Sequence, residues 1–362
     1  MTFEIPKHWT TRPILDTEAT EALIRRLKKP TGPVDVVIDT DTYNEIDDQF
    51  ALAYLIKKDE KLKLKAIYAA PFFNTKSTGP DDGMEKSYEE ILRVLSLMKR
   101  DDLKSIVYRG SESFLPPRAD AVESDAAKFD AVESNTLKSG AVESDAARHL
   151  IKLAAGYSSK KPLYVVAIGA ITNVASALLM EPTLKDKIVL VWLGGNAHGW
   201  HHNAEFNLYQ DVAAARIVFG CGVPLVQLPC AGVVSALTTS GPELEYWLRG
   251  KNELCDYLVD NTIKNAIEDG GLSTWTRVIW DVAAVAWLLD GGDGSGGDGG
   301  DGSGGDGGGS NDGKFMLDRL EPSPIPEYDH HYAFDRTRHP IRYVFHIHRD
   351  AIFEDLFRTL AL

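Results

Sequence analysis

An acidic run directly after a short apolar segment holds the side chains most able to do chemistry. Residues 36–38 (VVI) are followed within ten residues by five acids, namely Asp39, Asp41, Glu45, Asp47 and Asp48. Carboxylates gathered this closely repel one another unless a cation neutralises them, and hard oxygen ligands suit calcium or magnesium rather than zinc. A helix cap would account for Asp47 or Asp48 but not for all four aspartates. The run therefore predicts a metal site.

Two later residues could complete such a site, and a third lies beside one of them. Thr172 stands at a strand-to-helix turn, where it either caps the helix or turns its backbone carbonyl toward a cation. Asp281 begins an apolar helix, where it is either an N-terminal charge or a further metal carboxylate. Trp280, beside it, either offers an indole face for stacking or packs in the core.

The segment AEFN (204–207) suits a different task. Glu205 and Asn207 are two residues apart, so their side chains point the same way in extended backbone. A carboxylate next to a carboxamide suits hydrogen bonding to sugar hydroxyls. The alternative is that Glu205 is a solvated charge on a loop that Phe206 anchors.

Elements of two kinds alternate around these residues. Short Val/Ile-rich runs typical of strands covered on both faces occupy 34–39, 66–73, 105–110, 163–170, 187–195 and 224–230. Helical patterns occupy 49–58, 86–100, 147–155, 173–180 and 211–219, and the tail 327–361 ends in a strand-like run and an amphipathic helix. The alternation predicts a single α/β domain over 1–362, a doubly wound, mostly parallel sheet with helices on both faces. Ligands bind such folds at the carboxyl ends of the strands, where the acids lie.

Two segments interrupt the alternation. AVES recurs three times within 119–143, which predicts an expanded surface loop, and 291–313 contains glycine and aspartate but no apolar side chain, which predicts disorder. The net charge of −14 argues against a nucleic-acid partner, and no apolar run is long enough to predict a membrane span. The first residues lack a secretory pattern and the three cysteines suit a reducing compartment, so a cytoplasmic protein is expected.

Taken in order, these motifs resemble the inosine/uridine-type nucleoside hydrolases, metal-dependent ribohydrolases, over roughly 34–290. The family opens with D-x-D-x3-D-D; here the aspartate pair comes two residues later than usual. The resemblance implies a calcium ion (Ca²⁺) held by Asp41, Asp48, the Thr172 carbonyl and Asp281. It implies ribose contacts from Asp47, Asn74, Glu205 and Asn207, and from one further asparagine, for which Asn203 and Asn196 compete.

The implied activity is calcium-dependent hydrolysis of the N-glycosidic bond of a nucleoside, a small-molecule substrate, with Asp41 activating a metal-bound water. Many members carry His directly before the late metal-binding Asp, whereas this chain has Trp280, which resembles the purine-preferring branch. His198, His201 and His202 are candidate proton donors to the leaving base. A homodimer or homotetramer is expected from the resemblance.

Two other classes compete with this hypothesis. The DTDTY of 39–43 also fits the D-x-D-x-T opening of haloacid-dehalogenase-type phosphatases, with Asp39 as nucleophile, Asp41 as acid/base and magnesium nearby. That hypothesis leaves AEFN unexplained. A nucleoside- or sugar-binding relative without turnover would fit the altered aspartate spacing and Trp280.

Overall fold

The computed structural model describes residues 17–117, 140–268, 274–291 and 313–362. The predictions for most of 119–143 and for nearly all of 291–313 therefore lie outside the described residues. The third AVES copy is described, and its Ala141 is buried while its Glu143 pairs with Arg148.

An eight-stranded sheet forms the centre of the fold, in the order β3-β2-β1-β4-β5-β6-β12-β9. All neighbours are parallel except β12 and β9, which run antiparallel at one edge. The strands are β1 (Val34–Thr40), β2 (Leu62–Ala69), β3 (Val107–Arg109), β4 (Leu163–Ala167), β5 (Ile188–Leu193), β6 (Leu225–Leu228), β9 (Met316–Pro322) and β12 (Pro340–Ile347). Short pairs join β7 (Thr238–Thr239) to β8 (Arg277–Val278) and β10 (Ile325–Pro326) to β11 (Tyr332–Ala333).

The described helices connect and cover these strands. They are α1 (Thr17–Arg26), α2 (Asp48–Lys57), α3 (Pro80–Leu97), α4 (Asp145–Ala154), α5 (Thr172–Met180), α6 (Phe206–Gln210), α7 (Val212–Gly220), α8 (Gly241–Trp247), α9 (Glu253–Glu268), α10 (Val282–Leu289) and α11 (Arg349–Ala361). Within the described ranges, no helix combines the length and the apolarity that crossing a bilayer requires.

Two apolar cores lie on opposite faces of the sheet. Along β1, Val36 and Ile38 belong to one core, whereas Val37 belongs to the other. This alternation follows from the two-residue period of a strand, and it explains why the central strands are apolar at almost every position. Helices α2, α10 and α11 pack in the first core, and α4, α5 and α7 in the second. The predicted α/β class, with helices on both faces, is confirmed.

The strand predictions were best where strands are fully buried. β1, β4, β5 and β6 lie within the predicted ranges or within one residue of them. β2 begins and ends four residues before the predicted 66–73, because its first half alternates lysine with apolar residues and Pro71 stops the hydrogen bonding soon after its end. The edge strand β9 was missed, since its partly exposed sequence MLDRLEP gives no apolar run.

Candidate active site

The acidic run forms a buried cluster at the carboxyl end of β1. This strand lies between β2 and β4, so the residues after Thr40 emerge near the middle of the sheet edge. Asp41, Asp47 and Asp48 are each at most 2% exposed, and Asp281, which directly precedes α10, is 3% exposed. Carboxylate oxygens of Asp47, Asp48 and Asp281 lie within 4.8 Å of one another. The fold thus joins residues that are more than 230 positions apart in the sequence.

Burial and mutual repulsion raise the pKa values of the clustered carboxylates. Burial raises the pKa of Asp48 to about 7, against the hydrogen bond that its carboxylate accepts from Thr40. The pKa of Asp41 is raised well above its usual range by burial first and by the Asp48 charge second. Asp47 and Asp281 are shifted in the same direction by burial and by neighbouring acids. The Arg277 charge lowers the pKa of Asp47, but burial and the neighbouring acids outweigh it.

The site suits a hard divalent cation. Asp41 Oδ2 is buried without a hydrogen-bond partner among the described residues, which is a costly state for a carboxylate oxygen. Asp41 lies outside the 4.8 Å set but lines the same cavity as Asp47, Asp48 and Asp281. Acceptor-only oxygens around one small space are the ligand chemistry of calcium or magnesium.

The turn after β4 packs against Asp41. A Cβ on Gly169 would lie 3.0 Å from Asp41 Oδ1, so the absence of a side chain lets the two segments approach. Thr172 is the first residue of α5, as predicted, and its hydroxyl donates to Asp211 Oδ2 at 2.7 Å. It is fully buried and is not one of the residues lining the cavity.

Asp39, the nucleophile of the phosphatase hypothesis, lies behind the site. It is fully buried and accepts a hydrogen bond from Asn173 Nδ2 at 2.8 Å. Burial raises its pKa to about 7. Because Asp39 does not line the cavity, it is poorly placed to attack a substrate there.

Glu205 and Asn207 approach the cluster from the segment after β5. The predicted extended backbone holds only at Glu205, since α6 begins at Phe206. The Glu205 carboxylate accepts from the backbone N–H groups of Gly195, Asn207 and Leu208 at 2.7–3.0 Å. Burial raises the pKa of Glu205, and these three donors lower it. Both Glu205 and Asn207 line the cavity, so Glu205 holds the loop in shape as well as facing the site.

The asparagines assigned to ribose contact differ in their position. Asn207 lines the cavity while its Nδ2 donates to the carbonyls of Ile168 and Leu193. Asn196 also lines it, whereas Asn203 lies behind and accepts from Asn196 N–H at 2.8 Å. Asn74 is likewise outside the lining set, and its Nδ2 donates to Asn44 Oδ1 at 2.7 Å.

The cavity has a volume of about 390 Å³, and aromatic residues line it together with the acids. Trp280 lines it while packing against the core, and Trp200, His201 and His202 line it from the loop after β5. His198 lies elsewhere, with Nε2 3.0 Å from Gln227 Oε1, and burial lowers its pKa. A larger cleft of about 520 Å³, between α3 and α9, does not include the buried aspartates.

Sequence reasoning gave no site role to Asn44 or Trp200, although both line the cavity. The lengthened spacing between Asp41 and Asp47 was the available signal for Asn44, because additional residues in a loop at a site must lie somewhere near it. Trp200 had no comparable signal.

Comparison with known proteins identifies the family of the chain. Residues 36–319 match the family described as inosine-uridine preferring nucleoside hydrolase. The pyrimidine-specific ribonucleoside hydrolases RihA of Salmonella paratyphi A and Salmonella agona are 34% identical to this chain over 196 residues, which are 53% of this chain. The matched part spans only 58% of the length of those relatives.

Solved structures extend the likeness in fold. The plant nucleoside hydrolase PpNRh1 superposes with a TM-score of 0.64 at 19% identity, covering 91% of this chain and 99% of its own. The purine-preferring ribonucleoside hydrolase from Gardnerella vaginalis gives 0.63 at 18% identity, covering 90% and 98%.

Proposed function

Because the chain belongs to the inosine-uridine preferring nucleoside hydrolase family, we propose that it hydrolyses the N-glycosidic bond of ribonucleosides to give free base and ribose. The observation that carries the proposal is the buried group of Asp41, Asp47, Asp48 and Asp281 at the carboxyl end of the central strand, open to one cavity. The volume of this cavity, about 390 Å³, suits a small molecule.

We further propose calcium as the cofactor. The unpartnered Asp41 Oδ2 and the close approach of carboxylate oxygens from Asp47, Asp48 and Asp281 support a cation with several oxygen ligands. The Thr172 carbonyl is our fourth candidate ligand, from the resemblance. A bound cation of this kind neutralises the acids and makes a water molecule more acidic.

The side chains of the chain then have separate tasks. Asp41 is our candidate general base, because it lines the cavity and its Oδ2 has no hydrogen-bond partner among the described residues, so it can accept a proton from the attacking water. Asp47, Glu205, Asn207 and one loop asparagine bind and orient the ribose. The carboxylates also favour the positive charge that develops on the sugar ring as the base departs.

We propose a preference for purine bases. Trp280 gives the cavity an indole face, and a purine offers the larger ring system for stacking. The names of the relatives point both ways, since RihA is called pyrimidine-specific and the Gardnerella enzyme purine-preferring. His201 and His202 remain the candidate proton donors, because they line the cavity and His198 does not. We also propose a homodimer or homotetramer, which light scattering after gel filtration tests.

A nucleoside panel tests the proposal. Purified protein with calcium is incubated with inosine, guanosine, uridine and cytidine, and reducing sugar is measured. We expect ribose release, faster from the purines, and its loss on chelation. Asp41→Asn should lower kcat by about 100- to 10,000-fold, the usual contribution of a general base.

The alternatives give different results in the same assay. Release of phosphate from phosphate esters without ribose release would support the phosphatase and overturn the proposal. Tight nucleoside binding with neither product would indicate a binding protein without turnover. Equal or faster release from uridine would overturn the purine preference alone.

A further inference from the structure

The lengthened loop between β1 and α2 brings a neutral amide into the acidic site. Asn44 is 6% exposed and lines the cavity with Asp41 and Asp47. Its backbone N–H donates to the Asp41 carbonyl at 2.7 Å, and its carbonyl accepts from Lys76 Nζ at 2.8 Å. The backbone of Asn44 is therefore fixed from both sides.

The orientation of the Asn44 amide follows from its neighbours. A backbone N–H can only donate, so the Asn74 atom that meets the Lys76 N–H at 2.8 Å is Oδ1. The other atom of that amide is then Nδ2, which donates to Asn44 at 2.7 Å. The Asn44 atom receiving this bond must be Oδ1, and this leaves Asn44 Nδ2 as the group available to the cavity.

A donor at this position complements the acids. An ionised carboxylate can only accept hydrogen bonds, so a sugar hydroxyl bound to it is the donor, and the lone pairs of the hydroxyl oxygen stay free. Asn44 Nδ2 can donate to those lone pairs. Among the described residues no protein acceptor is paired with Asn44 Nδ2, whereas both ends of the Asn74 amide are occupied.

We propose that Asn44, rather than Asn74, contacts the ribose, by donating from Nδ2 to the 2′- or 3′-hydroxyl oxygen, and that Asn74 acts as a positioning residue through Asn44. This inference rests on the proposed function for its ligand. In this proposal the acidic loop, which is two residues longer than usual, takes part in substrate recognition through Asn44.

Binding measurements in the Asp41→Asn background test the inference without depending on turnover. Inosine or uridine, whichever binds more tightly, is titrated calorimetrically in the presence of calcium together with its 2′-, 3′- and 5′-deoxy analogues. Asn44→Ala should reduce the discrimination against either the 2′- or the 3′-deoxy analogue by about tenfold or more. Without the Asn44 amide the parent nucleoside no longer makes the hydrogen bond that the deoxy analogue lacks, so the two bind more equally. Discrimination against the 5′-deoxy analogue should not change.

Three further variants separate contact from positioning. Asn44→Asp keeps the shape but removes the donor, so it should lose the same discrimination, and its added charge near Asp41 and Asp47 should lower the melting temperature measured without calcium. Asn74→Ala should give a smaller loss at the same hydroxyl. The double variant Asn44→Ala/Asn74→Ala should lose no more than Asn44→Ala alone, since Asn74 acts through Asn44.

Several outcomes would overturn the inference. They are full discrimination in Asn44→Ala, additive losses in the double variant, or a larger loss from Asn74→Ala than from Asn44→Ala. Failure of the proposed function has a different signature, the absence of ribose release by the unmodified protein, and it is measured separately.

Discussion

Replacing Asp281 by asparagine should stabilise the cation-free protein, the reverse of the usual effect of changing a buried residue. Carboxylate oxygens of Asp281, Asp47 and Asp48 lie within 4.8 Å of one another, and the neighbouring acids raise the pKa of Asp281. At this separation a pair of like charges repels by about 3 kcal/mol at an effective dielectric constant near 20. Partial protonation of the cluster makes the gain smaller, so about 1–3 kcal/mol is expected, or roughly 1–4 °C in melting temperature for a chain of this length.

Calcium should reverse the order of the melting temperatures of the unmodified protein and Asp281→Asn. A ligand at 100 times its Kd stabilises the native state by about 2.7 kcal/mol, and Asp281→Asn removes a candidate ligand for that ion. Thermal unfolding at pH 8 with chelator and with calcium therefore tests both signs. The unmodified protein should melt lower than the variant with chelator and higher with calcium.

Asp318→Asn is the matched control. Asp318 is also buried, at 1% exposed, but Lys29 Nζ and Arg342 Nη1 lie 3.3 Å from its oxygens and Trp287 Nε1 donates to it at 3.0 Å. Removing this paired charge should destabilise the protein by about 3–5 kcal/mol with or without calcium. If Asp281→Asn lowers the cation-free melting temperature as Asp318→Asn does, the account of the cluster as unneutralised like charges is wrong.

Three other predictions concern the base, the pH dependence and the glycine-rich segment. Trp280→Ala should lower kcat/KM for inosine by about 2- to 12-fold more than for uridine, the value of about 0.5–1.5 kcal/mol of stacking, while equal losses would remove Trp280 from base recognition. His339 is buried with both ring nitrogens unpartnered among the described residues, and burial lowers its pKa to about 3. As pH falls below 6.5, His339 takes up a proton in the unfolded chain but not in the native state, which favours unfolding. Between pH 7 and pH 5 the free energy of unfolding should therefore fall by about 2 kcal/mol more in the unmodified protein than in His339→Gln. Parallel pH curves for the two proteins would contradict this. Replacing 292–312 by a short Gly-Ser turn should leave kcat/KM within about twofold, because closure entropy changes slowly with loop length, and a loss of tenfold would show that the segment serves the site.

The fold and the acidic centre were largely accessible from the sequence, for a reason that is local. Strands such as 34–39 and 187–195 are buried on both faces, so most residues in them are apolar and the run can be recognised from the sequence alone. Asp281 could be placed at a helix start because the apolar run after it begins at once. Edge elements such as β9 gave no comparable pattern.

The tertiary structure alone decided which residues face the cavity. Asn74 and Asn44 are both polar residues on loops at the carboxyl ends of neighbouring strands, and only their contact shows that one stands behind the other. The same holds for Asn203 behind Asn196, and for His198, whose ring contacts Gln227 and does not line the cavity. Residue type and spacing specify which chemistry is available, whereas the direction of a side chain depends on hydrogen-bond partners that the chain brings together only on folding.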